Sequence, residues 1–165
     1  MDLGFLIARI VFGVLMAAHG AQKMFGWFGG YGLTGTVGFF EGLGFKPGRL
    51  FAAAAAGGEI VSGLLIAFGL FGPIGPALVL SIMIVAAVTV HWHGVFAMSN
   101  GVEVPLLYAT AAVALALTGF GRFSLDALLG ITNLWTPAIV AGTLAAGVAG
   151  GIINLSLRRR PVTVS

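Results

Sequence analysis

Hydrophobic residues run in five long stretches along this chain, separated by short segments rich in glycine, proline and polar residues. An α-helix rises about 1.5 Å per residue, so each stretch approaches the length that crosses a hydrocarbon core of ~30 Å. The pattern predicts an all-α polytopic membrane helix bundle, with a four-helix core and a fifth, C-terminal transmembrane helix. The five predicted helices cover residues 3–26, 47–70, 76–93, 105–120 and 136–157.

The segment between the first two helices, residues 27–47, is rich in glycine and aromatic residues. It is too often interrupted by glycine to predict a transmembrane helix. Trp27, Phe28 and Tyr31 are typical of the headgroup level of a bilayer. We expect the segment to lie at the interface, with a short amphipathic helix over residues 36–43.

Composition excludes several classes of function. The 165 residues are 59% hydrophobic and 8% charged, with no cysteine. Such a chain has no residues left for a water-facing catalytic domain, and it can form neither a disulfide nor a cysteine-ligated iron–sulfur cluster. The net charge of +3 reflects mainly the arginines at 158–160, which we interpret as a topology signal and not as nucleic-acid binding. Basic residues in the short loops predict an outside N-terminus and a cytoplasmic C-terminus.

The first helix carries Arg9, His19 and Lys23 inside its apolar segment. At about 100° per residue, the three side chains share one face with Gly13 and Gly20, and these glycines allow another helix to approach closely. A charge at this depth needs a partner. Glu59 of the second helix is predicted to lie at nearly the same depth, so we expect an Arg9–Glu59 ion pair, either as a structural clamp or as the wall of a ligand cavity.

A second polar cluster is predicted toward the cytoplasmic side of the bundle. The topology brings six side chains to one level there: His19, Lys23, His91, His93, Glu103 and Tyr108. Imidazole and phenol groups suit hydrogen bonding to a quinone carbonyl. His91 and His93 point ~200° apart on a helix, and we expect His91 to face inward. The rival, a haem b held by His19 and His91, is disfavoured because a small bundle with a single histidine pair offers no further arginine for the propionates. No metal site is predicted.

Taken together, these residues resemble the DoxX family of small bacterial and archaeal membrane proteins. The resemblance covers residues 3–130 and rests on these pieces: ARIVFGVLMAAHGAQKMFG, FFEGLGFKPG, Glu59, His91, and GFGRFSLDALLG with Ser124-Leu125-Asp126. It implies a four-helix membrane domain over residues 1–130. It also implies a quinone-linked role, since relatives are named as subunits of a terminal quinol oxidase and of thiosulfate:quinone oxidoreductase.

We therefore expect a membrane subunit of a quinone-linked oxidoreductase assembly. The residues expected to bind the quinone-like ligand are Arg9, His19, Lys23, Glu59, His91 and Tyr108. The alternative is a non-catalytic accessory or assembly subunit, in which the buried polar residues only hold the bundle together. The sequence leaves open whether the chain is itself catalytic.

Residues 131–165, beyond the resemblance, predict an additional transmembrane helix with a basic cytoplasmic tail. Gly147 and Gly151 have the GxxxG spacing of helix-association faces. Residues 138–154 contain no ionisable group. We expect this helix to be dispensable for the ligand site and to mediate docking to other redox subunits or self-association.

Overall fold

A computed structural model describes residues 2–159, and its regular structure over that range is helical throughout. The five predicted long helices are confirmed, together with a helix in the interfacial segment and one short helix near residue 126. In chain order the helices are α1 (Asp2–Phe25), α2 (Gly32–Gly42), α3 (Gly48–Phe68), α4 (Ile74–Thr89), α5 (Glu103–Thr118), α6 (Leu125–Leu128) and α7 (Pro137–Ser156). Single 3-10 turns occupy Trp27–Gly29, Ala97–Ser99 and Thr132–Leu134. The predicted tail from residue 160 lies outside the described residues.

Several charged side chains are buried in this bundle, while many large apolar side chains are exposed. The buried polar residues include Arg9, Glu59 and Asp126, each at most 3% exposed, whereas Leu3 and Ile7 of α1 are more than half exposed. Lipid is the solvent that tolerates such a surface. Three helices, α1, α3 and α7, are long and apolar enough to cross a membrane. Helices α4 and α5 have 16 residues each, which reach ~24 Å, so length supports three of the five predicted spans.

Helices α1 and α3 are antiparallel and pack backbone against backbone. A Cβ atom at Gly13 would lie 2.4 Å from the carbonyl oxygen of Gly63, and one at Gly20 would lie 2.5 Å from that of Ala56. Those separations are too short for any side chain. The predicted role of the two α1 glycines in close helix approach is therefore confirmed.

Helix α4 packs against α3, α5 and α7, and the apolar core lies around it. Its buried members are Met16, Ile66, Val79, Met83, Ala112, Leu115 and Phe120. Helix α7 contacts α4 through the predicted glycine stripe, since a Cβ atom at Gly147 would lie 2.5 Å from the carbonyl oxygen of Ala77. The prediction that Gly147 and Gly151 mark an association face for another subunit is wrong, because α4 of the same chain covers them.

The antiparallel helices give the bundle two ends that carry different chemistry. The Arg9 end comprises the start of α1, the α3–α4 turn and residues 119–136. The Lys23 end comprises the end of α1, α2, the start of α3 and the end of α7.

Candidate functional site

Arg9 is fixed by backbone carbonyls and does not contact Glu59. Its guanidinium donates hydrogen bonds to the carbonyl oxygens of Ala67, in the last turn of α3, and of Phe123. Both acceptors are backbone groups, and a cation at a helix C-terminus also interacts favourably with the helix dipole. The predicted Arg9–Glu59 ion pair is wrong.

The error has a geometric cause, which is the offset between α1 and α3. The contacts of Gly13 with Gly63 and of Gly20 with Ala56 set the register of the two helices. In that register Arg9 faces Ala67 at the end of α3, about eight residues, or ~12 Å, beyond Glu59. Equal depth was expected because both helices were assumed to begin and end at the membrane boundaries.

Asp126 is the second buried charge of the Arg9 end, and sequence reasoning did not select it as a site residue. Its carboxylate accepts hydrogen bonds from the backbone N–H groups of Phe71 (2.8 Å) and Gly72 (2.7 Å) and from the indole N–H of Trp135 (2.7 Å). Ser124 caps the short helix α6 that carries it, with 3.2 Å between the Ala127 nitrogen and the serine hydroxyl. Asp126 thus connects the α3–α4 turn to the segment before α7, and both of its oxygens are satisfied.

Lys23 and Glu59 form an ion pair at the opposite end, in which Glu59 is buried and Lys23 is partly exposed. The Lys23 ammonium contacts Oε1 of Glu59, whose side chain is only 3% exposed. The other carboxylate oxygen, Oε2, is buried and has no hydrogen-bond partner within residues 2–159. A buried carboxylate oxygen without a donor is costly, so its position indicates where a ligand or water would bind.

A cavity of about 230 Å³ lies beside this ion pair. Apolar residues of α2, α3 and α4 form most of its wall, and its polar side chains are Lys23, Glu59, Ser81, Thr89 and Asn154. Four phenylalanines border it: Phe39, Phe40, Phe45 and Phe51. Phe45 packs against Phe40 and Phe51 at ring-centroid distances of 5.6 and 5.1 Å. An apolar cavity with a few convergent polar groups is the usual form of a small-molecule site.

Helix α2 closes one side of the cavity because Thr36 holds it to the end of α1. The buried Thr36 hydroxyl lies 3.1 Å from the carbonyl oxygen of Lys23 and 2.8 Å from that of Gly32. This places Phe39 and Phe40 in the same cavity wall as Lys23 and Glu59. Phe39 remains half exposed, so this part of the wall reaches the apolar outer surface of the bundle.

The second predicted cluster does not assemble as expected. His19 is exposed and packs edge-on against Tyr108, with 5.9 Å between ring centroids. His91 follows the end of α4, and its Nδ1 lies 3.1 Å from the carbonyl oxygen of Asn100. Glu103 accepts a hydrogen bond from the Ala97 N–H at 2.7 Å. Of the six predicted ligand residues, only Lys23 and Glu59 line the cavity.

Two larger depressions lack the chemistry of the Lys23–Glu59 cavity. A groove of about 550 Å³ at the Arg9 end includes Asp126, whose oxygens are satisfied. A groove of about 600 Å³ between α1 and α5 is apolar apart from Tyr108. Among residues 2–159 the two buried side-chain atoms without a partner are Glu59 Oε2 and Arg9 Nε, and Arg9 lines neither groove. No group of three metal-ligating side chains converges within the same residues.

Sequence reasoning missed the aromatic wall and Asn154. The four phenylalanines belong to the segment read as interfacial and to the helix after it. The FFEGLGF run was a usable signal, since successive aromatics on a short amphipathic helix can cover a cavity as well as lie in headgroups. Asn154 carried one signal: it is the amide of a helix otherwise built from apolar, small and hydroxyl residues.

Fold and site together define a helical membrane protein with a mostly apolar cavity that is bordered by the Lys23–Glu59 ion pair. The family model of DoxX matches residues 4–92, a range that includes Arg9, Lys23 and Glu59. The chain belongs to the DoxX family, as the sequence motifs predicted. The predicted domain boundary at residue 130 lies beyond this match and stays a prediction.

Among curated proteins the chain is similar to "Putative oxidoreductase CatD" of Bacillus subtilis (strain 168). The two are 31% identical over 125 residues, which cover 76% of this chain and 86% of the relative. No solved structure matches the chain.

Proposed function

We propose that this protein is a membrane subunit of a quinone-linked oxidoreductase assembly, and that it binds a quinone-like, lipid-soluble ligand in the cavity beside Lys23 and Glu59. The observation that carries the proposal is the buried, unpartnered Oε2 of Glu59 at the wall of an otherwise apolar cavity. Membership of the DoxX family and the name of the Bacillus relative support the link to oxidoreductases.

The geometry suits the head group of such a ligand. A quinone ring is apolar on its faces and carries carbonyl oxygens at its edge. Lys23 offers N–H donors to a carbonyl oxygen, and Oε2 of Glu59 accepts a hydrogen bond from the hydroxyl of the reduced form. The cavity of about 230 Å³ is below the roughly 300–1,000 Å³ of whole drug-sized sites, so it takes a ring while a lipid tail stays outside.

The proposal extends to location and partners. Basic residues gather at the Lys23 end, where the Arg159 N–H bonds to the carbonyl oxygen of Gly44 in the α2–α3 turn. Lys46 lies in the same turn, and Arg49 lies in the first turn of α3. Arg122 is the exposed cation of the opposite end. By the positive-inside rule this distribution supports an outside N-terminus and a cytoplasmic C-terminus in a prokaryotic inner membrane. Electron transfer then requires other redox subunits in the assembly.

The test is the quinone content of the purified protein. We expect the wild type to retain quinone after extraction in mild detergent, and Lys23→Met/Glu59→Gln to retain about tenfold less or lower, because hydrogen bonds to charged groups contribute about 1.5–3 kcal/mol. The double substitution leaves no unpaired buried charge. His91→Ala, outside the cavity, is the matched control and should retain quinone as the wild type does.

A wild type free of quinone contradicts the proposal, as does a double variant with unchanged content. A quinone-free chain that purifies only with partner subunits supports the alternative, a non-catalytic accessory or assembly subunit. In that case Lys23 and Glu59 serve as an ion pair between α1 and α3 and nothing more.

A further inference from the structure

We infer that helix α2 is a lid that opens to pass the ligand between the bilayer and the cavity, and that residues 158–159, just after α7, hold this lid closed. The inference rests on the proposed function and deepens it, because it assigns the route by which a lipid-soluble ligand reaches Lys23 and Glu59. It also gives Arg158, which the sequence presents as a topology signal, a role beside the site.

Helix α2 covers the cavity although little of the helix is itself buried. Phe39 and Phe40 of α2 and Leu43 just after it line the cavity. Thr36 is the buried member among the eleven residues of α2. Segments with few buried contacts open at a lower free energy than the rest of a fold, because they have little packing to lose. Helix α2 is therefore the part of the cavity wall that can move most easily.

The composition of α2 weakens it further as a helix. Four of its eleven residues are glycine, at positions 32, 35, 38 and 42. Gly38 and Gly42 are not required for close packing, since a Cβ atom at either position would meet nothing within 4 Å in the described part of the chain. Glycine inside a helix is less stable than alanine because it loses more backbone entropy. The closed position of α2 is thus less stable than its surroundings would allow.

The connections on both sides of α2 contain residues that can act as hinges. Gly26, before the helix, has a φ of 77°, and Gly44, after it, has a φ of 94°. Glycine adopts such angles without strain. Hinge motions are absorbed by a few residues of this kind at the ends of an element.

Contacts at two places hold α2 against the bundle. Near its start, the Thr36 hydroxyl lies 3.1 Å from the carbonyl oxygen of Lys23. Past its end, the Arg158 side chain donates from Nε to the carbonyl oxygen of Leu43, and the main-chain N–H of Arg159 donates to that of Gly44 at 2.9 Å. The Arg158 bond reaches a residue that lines the cavity, so breaking it should release that end of the lid.

The experiment measures two rates for the full chain in lipid nanodiscs: hydrogen exchange at the α2 amides, and replacement of bound decylubiquinone by its isotope-labelled form. We expect bound decylubiquinone to slow exchange at α2, because it stabilises the closed state. Gly38→Ala should slow both rates about two- to fivefold, because alanine stabilises the closed helix. Gly142→Ala is the matched control: a Cβ atom there also has nothing within 4 Å in the described chain, but α7 does not line the cavity at this position. It should change neither rate.

Arg158→Ala tests the contact that holds the lid closed. Loss of its bond to Leu43 should speed both rates about two- to tenfold, the range of one hydrogen bond at a partly exposed site. Arg159→Ala is the matched control, because it removes the same charge and keeps the main-chain N–H that bonds to Gly44.

The outcomes separate the lid from the site that it covers. If Gly38→Ala slows exchange at α2 but leaves the release of decylubiquinone unchanged, the ligand uses another route and the inference is overturned. Equal effects of Gly38→Ala and Gly142→Ala also overturn it, and equal effects of Arg158→Ala and Arg159→Ala overturn the role of Arg158. A wild type that binds no decylubiquinone overturns the proposed function itself.

Discussion

The two ends of this bundle treat their buried charges in opposite ways. At the Arg9 end, Arg9 and Asp126 bond to backbone groups and to Trp135, and both oxygens of Asp126 are satisfied. At the Lys23 end, Lys23 and Glu59 bond to each other, and one carboxylate oxygen next to a cavity is left without a donor. Burying ions costs desolvation free energy at both ends. At the Lys23 end, in addition, the carboxylate oxygen Oε2 of Glu59 has no donor and Glu59 lines a cavity.

The difference separates structural from ligand-binding polar groups within one chain. Arg9 and Lys23 lie on the same helix and are both cations in an apolar segment, so charge and position in the sequence do not distinguish them. Their partners do. Arg9 donates to backbone carbonyls that any sequence would supply, whereas Lys23 depends on one side chain, Glu59, which borders the cavity.

Asp126→Ala should remove the hydrogen bonds that hold the α3–α4 turn at the Arg9 end, and it should have the largest effect on stability. It leaves the N–H groups of Phe71, Gly72 and Trp135 buried or half-buried without an acceptor. At about 1–3 kcal/mol for each unsatisfied donor, we expect a loss of at least about 3 kcal/mol in unfolding free energy. Denaturant unfolding in mild detergent measures it.

Asp2→Ala is the matched control for Asp126→Ala. Asp2 pairs with Arg122 at 3.3 Å at the same end of the bundle, but the pair is exposed. Exposed ion pairs contribute little to stability. A loss from Asp126→Ala no larger than that from Asp2→Ala would show that the carboxylate does not hold the turn.

Double-substitution cycles should distinguish the two ends directly. Lys23→Met leaves the Glu59 carboxylate buried without its partner, and we expect a loss of about 2–4 kcal/mol, somewhat below the usual range for a fully buried pair because Lys23 is partly exposed. Adding Glu59→Gln should recover at least about 1 kcal/mol of that loss. Arg9→Gln and Glu59→Gln, in contrast, should add to within about 0.5 kcal/mol, because the two residues share no contact.

The cycles use the same unfolding measurement for all variants. Strong coupling between Arg9 and Glu59 would contradict the helix register described above. Additive losses for Lys23 and Glu59 would mean that the ion pair does not form in the membrane protein.

Much of the fold could be predicted from the sequence because lipid imposes length and polarity on each helix. The glycines of α1 also predicted a close helix contact. The offset of α1 against α3 could not be predicted, because it depends on which residues meet Gly13 and Gly20, and α3 offers several small residues in its AAAAAGG run. That offset decides that Arg9 faces Ala67 and not Glu59.

The site was predicted in part for the same reason. Lys23 and Glu59 were selected individually because charges in apolar helices require partners, but pairing them needs the register. His91 was expected at a helix end facing inward, yet α4 ends at Thr89, and His91 bonds within the following loop. Asn154 was dismissed with its helix because residues 138–154 contain no ionisable group, and its place in the cavity wall depends on how α7 packs on α4.

Gly147→Ala should have the smallest destabilising effect of these substitutions. It tests the comparison of the two ends at α7, the helix that runs from the Arg9 end to the Lys23 end. Its Cβ atom would lie 2.5 Å from the carbonyl oxygen of Ala77, so α7 must shift away from α4. Overpacking of this kind costs about 1–3 kcal/mol. Because Asn154 of α7 lines the cavity, the shift should also lower the quinone content of the purified protein, whereas Asp126→Ala acts at the far end.

Gly142→Ala is the matched control on the same helix, since a Cβ atom there has nothing within 4 Å. It should stabilise the protein by about 0.5–1 kcal/mol, because alanine is the better helix former. Thermal unfolding in detergent, with size-exclusion chromatography of both variants, separates the two readings of the glycine stripe. Loss of stability in Gly147→Ala with an unchanged assembly size indicates packing within the chain, and a changed assembly size without loss of stability would return the stripe to an intermolecular role.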